Sequence, residues 1–183
     1  MPIKRIRLPH TGLQIPEKFP FRVTRLDQVD TVSGIAWSAD LRFGSRRLGV
    51  IANDGRGSAT LFHPETPSAA KAMRIFVEMC LDSDGEPLSD EFVYDLLADE
   101  YEQADEVARA ESRQRYSVRM FNQWDIPMLT ELKNVPAGFP DYEEARRIAS
   151  VLEPPSEAVR GELWMGPDRG WVQVFARPED TTP

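Results

Sequence analysis

The chain has 183 residues, 41% hydrophobic and 9% aromatic, which is enough for an ordinary packed core. Its formal net charge is −8, and a single cysteine, Cys80, excludes an internal disulfide. No apolar run approaches the roughly 18 residues of a membrane helix. The basic N-terminus, Met1 to Arg7, is followed by no apolar stretch, which argues against a secretory signal. The expectation is therefore one cytoplasmic domain with no membrane attachment. Arginine outnumbers lysine 18 to 4, a codon-usage signature that suggests a bacterial or phage origin.

The first third reads as mainly β, over residues 1–64. Pro2, Pro9, Pro16 and Pro20 leave room for short extended pieces at Ile3 to Leu8 and Phe21 to Leu26. Val32 to Phe43 alternates over part of its length, with Ile35, Trp37, Ala39 and Leu41 on one side. A turn at Gly44-Ser45 leads to strands at Leu48 to Ala52 and Ala59 to His63. This spacing predicts an antiparallel meander.

Residues 65–153 read as mainly helical. Thr66-Pro67-Ser68 introduces a helix from Ala69 to Leu81, with proline tolerated in its first turn. Cys80 lies among Phe76, Val77, Met79 and Leu81 and reads as a small core residue. Ser89 is a good N-cap for a second helix, with Asp90 and Glu91 favoured by the dipole. Residues 113–124 suit a strand or a helix; a strand is preferred, and it could pair with the sheet. Pro127 then predicts a short helix from Met128 to Lys133, and Asp141 caps another from Tyr142 to Leu152. Residues 154–183 form a β-hairpin, Glu162 to Met165 and Trp171 to Arg177, that could join the sheet. The fold class is α+β: an antiparallel sheet from the N-terminal third, central helices and the C-terminal hairpin.

The most distinctive stretch is residues 89–112. It holds nine carboxylates against one base, Arg109, so nine minus one gives −8, the net charge of the whole chain. At 100° per residue, Val93, Leu96, Leu97, Tyr101, Ala104, Val107 and Ala108 fall within an arc of about 140°. Glu91, Asp95, Asp99, Glu102 and Glu106 form a stripe opposite and are expected to face outward. A charge run of this kind is often only a solvated face. As a functional surface it would engage a protein partner with a basic surface, since long-range attraction speeds association. This is the first functional reading: a non-enzymatic interaction or regulatory protein. A metal site is not expected, because the carboxylates point outward with no second helix to complete a ligand set, and no Cys or His cluster is present. No cofactor and no catalytic residues are assigned.

Two further readings use other residues. Asn53-Asp54-Gly55-Arg56-Gly57 explains itself as a tight hairpin loop. Its functional version opens the backbone N–H groups of Gly55 and Gly57 toward an anion, with Arg56 closing over it and His63 near Asp54, in a small enzyme or an anion- or nucleotide-binding protein. The third reading is nucleic-acid binding by the basic N-terminal third. Residues 1–60 hold ten bases and five acids, a net +5, including Lys4, Arg5, Arg7, Arg42, Arg46, Arg47 and Arg56. Trp37 is assigned to the core, and Trp164 and Trp171 to either core or a partner anchor.

Overall fold

The fold was taken from a computed structural model, which describes residues 3–133, 135–136 and 138–177. It is α+β, with ten strands in three antiparallel sheets and three helices among the described residues. The chain divides into two units, Met1–Glu102 and Gln103–Pro183.

The first unit opens with β1 (Arg5–Arg7) and β2 (Gln14–Pro16), a small antiparallel pair. Four strands follow as a meander: β3 (Phe21–Thr31), β4 (Gly34–Phe43), β5 (Arg46–Asn53) and β6 (Leu61–Pro64). β3 is longer than the six residues expected. It turns at Val32-Ser33 and pairs with β4 along its whole length. The expected strand start at Val32 is thus the turn itself.

Period-two alternation gives this sheet two unlike faces. Phe21, Val23, Ala39, Leu41 and Ile51 face inward and pack on Ala69, Met73, Phe76, Val93 and Leu97 of the helices. Phe21 stacks on Phe76 with ring centroids 4.4 Å apart. Trp37 is half-buried at the margin of this core, and Ile35, on the same side, lies 54% exposed. The helices are α1 (Pro67–Met79) and α2 (Asp90–Ser112). Thr66 caps α1 by accepting from the Ala69 N–H, and Pro67 fills its first turn. α1 stops two residues before the expected end, because Leu81 leaves to bridge Gln14 and Pro87. Cys80 is buried, and burial pushes its thiol up to about 12, so it is a core residue and not a nucleophile.

The second unit contains the C-terminal part of α2 and a separate four-stranded sheet, ordered β10-β9-β7-β8. Its strands are β7 (Tyr116–Phe121), β8 (Pro127–Leu132), β9 (Arg160–Trp164) and β10 (Trp171–Ala176). Helix α3 (Tyr142–Ala149) is capped by Asp141, which accepts from the Glu144 N–H, and it ends three residues short of Leu152. The strand preferred at 113–124 is present as β7.

The helix expected at Met128 to Lys133 is instead strand β8. Asn122 Oδ1 accepts from the N–H groups of Trp124 and Ile126, and Asp125 adopts φ 58°, so the chain reverses within four residues. Pro127 then begins an edge strand, where a missing N–H costs little. The last hairpin pairs with β7, not with the N-terminal sheet. Gly161 is required there, since a Cβ would lie 2.1 Å from the Phe175 ring.

Arg119 and Glu162 meet across β7 and β9, with Nε to Oε2 at 2.7 Å and both side chains nearly buried. Glu162 also accepts from Arg160. The Arg119 guanidinium lies over the Trp171 ring, 4.3 Å from its centroid, and donates to Gln103 Oε1. Replacing Glu162 by alanine leaves two guanidinium groups facing one another without their shared acceptor. Urea denaturation of Glu162→Ala is expected to show a loss of about 3–5 kcal/mol. The Arg119→Met, Glu162→Leu pair is expected to lose clearly less.

Candidate functional site

The acidic helix begins where Ser89 Oγ accepts from the Phe92 N–H. Asp90 and Glu91 occupy its first turn, at the positive end of the dipole. Of its expected apolar face, Val93, Leu97 and Val107 are buried, Leu96, Tyr101 and Ala104 half-buried and Ala108 exposed, while Tyr94, Ala98 and Ala110 are buried outside the predicted arc.

The carboxylate stripe does not simply face water. Thr60, just before β6, donates its hydroxyl to Asp95 Oδ1 at 2.6 Å and its N–H to Glu91 Oε1 at 3.3 Å. Gln28 of β3 donates to Glu102 Oε1 at 2.9 Å. The stripe's first half therefore grips the polar rim of the sheet's inner face. Asp99 is exposed. Glu106 lies in the second unit, where it helps line a cleft of about 270 Å³ with Arg109, Arg113, Ser117 and Thr130. Glu100, outside the stripe, is the most heavily engaged acid. Its carboxylate accepts from the His10 and Thr11 N–H groups and the Thr11 hydroxyl, which ties down the turn between β1 and β2. No local pattern in the sequence marks Glu100, Thr60 or Gln28 as contact residues. Their partners lie 31 to 90 residues away, beyond any local pattern.

These acids perturb one another. Burial raises Asp95, offset by the Thr60 hydroxyl and reinforced by Glu91. Asp99 is pushed up to about 6, first by burial and then by the charges of Asp95 and Glu102. Because Asp99 keeps contact with water, solvent screens part of that cost. Among the described residues, no three His, Cys, Asp or Glu side chains converge to hold a metal ion.

Two backbone donors of the Asn53–Gly57 loop, those of Gly55 and Arg56, are bonded within the loop. Gly55 N–H donates to Asn53 Oδ1, and Arg56 N–H and Ser58 Oγ donate to Asp54 Oδ1. Those bonds hold the Asp54 carboxyl below its usual range, Ser58 contributing most. Gly55 sits against the β4 backbone at φ 69°, where a Cβ would lie 2.6 Å from Ala36 N. His63 does not join Asp54. It pairs with Val50, four residues back along β5, or about 13 Å at 3.3 Å per residue. The loop is thus a turn braced by its own Asn53 and Asp54 side chains. Gly57, at its far end, stands in open space, with nothing within 4 Å of where a Cβ would lie.

The basic residues separate into two groups. Lys4 pairs with Glu17, Arg5 donates to Met79 O, Arg7 to Ser83 O and Arg46 to Ser68 Oγ. Arg22, Arg42 and Arg47 instead stand side by side across β3, β4 and β5. Like charges directly opposite on a sheet cost about 0.2–1 kcal/mol per pair. Arg47 is compensated by Asp40 at 2.7 Å and Glu65 at 2.5 Å.

Trp164 is buried and Trp171 half-buried, with centroids 5.4 Å apart, so both belong to the packing of the second unit. Among the described residues, no helix is long and apolar enough to cross a membrane. The chain matches no family model, no curated protein and no solved structure.

The raised Asp99 carboxyl carries a sign. The folded protein binds this proton more tightly than the unfolded chain, whose carboxyl titrates near 3.8. Stability therefore falls as pH rises from about 3.8 through about 6, and the penalty is complete above that. Asp99→Asn is expected to raise Tm by about 1–3 °C at neutral pH. The gain should vanish as the pH falls to 3.8. Thermal scans across that range check it; a gain independent of pH would contradict it.

Proposed function

We propose that this protein is a non-catalytic interaction protein that engages a basic partner surface through the carboxylates of α2. The observation that carries the reading is Asp99. Asp99 is an exposed residue whose carboxyl is raised first by desolvation and then by the charges of Asp95 and Glu102, and it forms no ion pair among the described residues. A lysine or arginine from a partner would relieve that repulsion, so binding and the cost of the cluster are two aspects of one electrostatic term. Glu91, Asp95 and Glu102 support Asp99 from either side while anchored to Thr60 and Gln28. The anion-binding reading of the Asn53–Gly57 loop draws less support, because its Gly55 and Arg56 N–H groups are already satisfied within the loop.

The test is binding of a lysine-rich peptide at low salt. Asp99→Lys changes the site by two charge units, each worth about 1 kcal/mol at contact distance in water, so affinity should fall about thirtyfold. Tm should not fall. Equal affinity of wild type and variant would contradict the reading.

A further inference from the structure

We propose that the outer face of the N-terminal sheet binds the phosphate backbone of a nucleic acid through the cross-strand row Arg22, Arg42 and Arg47. The ladder register sets these side by side on three adjacent strands. At about 4.8 Å between strands, their Cα atoms span about 10 Å. Phe21 and Val23, on either side of Arg22, are both buried, so alternation sends Arg22 to the opposite face. No residue of that outer face is buried.

The row is only partly compensated. Asp40 and Glu65 both hold Arg47, which fixes its guanidinium on the face. Asp27 takes Arg25, one row along. Arg42 donates to the Ser45 carbonyl, and Arg22 forms no ion pair among the described residues. Guanidinium groups match phosphate oxygens bidentately. The face is open, and the cavities of about 270 and 370 Å³ elsewhere in the chain are lined by other residues. A small anion there would meet water on most sides. A polyanion instead gains from counterion release at several phosphates together.

The net charge of −8 does not oppose this. Glu91, Asp95 and Glu102 reach Thr60 and Gln28 on the inner side of the same sheet. They lie a packed layer behind the arginines, and at about 0.1 M salt, the low end of the salt series below, the screening length is about 10 Å. Phosphate binding here rests on the sheet alone and is independent of what α2 engages.

The experiment is fluorescence anisotropy of a short labelled DNA strand and its duplex across a salt series, with polyglutamate as competitor. Wild type is compared with Arg22→Ala, Arg42→Ala, which leaves the paired Arg47 in place. Wild type should bind at low salt. The double variant should bind about tenfold more weakly, with a single-strand salt slope smaller by about 1.4, or two contacts of about 0.7 each. Its Tm should hold or rise. The Arg22→Lys, Arg42→Lys variant, which keeps both charges, should keep the wild-type slope. No binding by wild type at low salt, unchanged slope in the alanine variant, or displacement by polyglutamate as efficient as by unlabelled DNA would each overturn the proposal, the last pointing to an acidic protein instead.

Discussion

The N-terminal sheet has one dry face, and the rest of the first unit follows from that. Four strands in a meander can bury only alternate residues on one side, and here Phe21, Val23, Ala39, Leu41 and Ile51 are the ones buried. They require a cover, which α1 and the first part of α2 supply through Phe76, Met73, Val93 and Leu97. Once α2 is fixed by its apolar stripe, its acids must come down on the rim of the sheet. They meet polar groups there, Thr60 and Gln28, and not lysines or arginines. The outer face, left without a cover, collects the side chains that alternation rejects from the core, and three of those are arginines in one row.

The sheet therefore separates charge. Negative groups crowd behind it and positive groups stand in front, with an apolar layer between. Neither patch is neutralised by the other. Asp99, raised to about 6 by burial and then by Asp95 and Glu102, registers part of the cost on one side. The adjacent Arg22 and Arg42 carry it on the other. A fold selected only for stability would interleave these charges, as Asp40 and Glu65 do for Arg47 at one end of the row and as the Arg119–Glu162–Arg160 network does in the second unit. Both functional readings rest on this contrast between satisfied and unsatisfied charge.

How much of this was legible in the sequence depended on whether the signal was local. The α2 helix was, because a helical period sustained over about twenty residues with a capping serine has few competitors. The start of α1 was, from Thr66-Pro67. Strand β8 was not: Met-Leu-Thr-Glu-Leu fits a helix turn as well as a strand, and only pairing with β7 decides it. The angular pattern of α2 gave its polar face, but what that face meets is set by Thr60, Gln28 and the His10-Thr11 turn, all distant in sequence. The arginine row was hidden for a similar reason. Arg22 comes opposite Arg42 only because β3 and β4 turn at Val32-Ser33 and slip by a bulge between Val23 and Arg25. Register of that kind cannot be read from alternation alone.

The central claim is that α2 lies on the inner face of the sheet, with Asp95 at Thr60, so that the outer face stays bare. Oxidation of the Thr60→Cys, Asp95→Cys variant tests it directly. The two native side chains approach to 2.6 Å, and Cys80, buried with its thiol pushed up to about 12, should not compete. The account predicts one disulfide within the chain, with Cys80 the sole free thiol found after denaturation. Three free thiols after oxidation, or bonds formed only between chains, would contradict it.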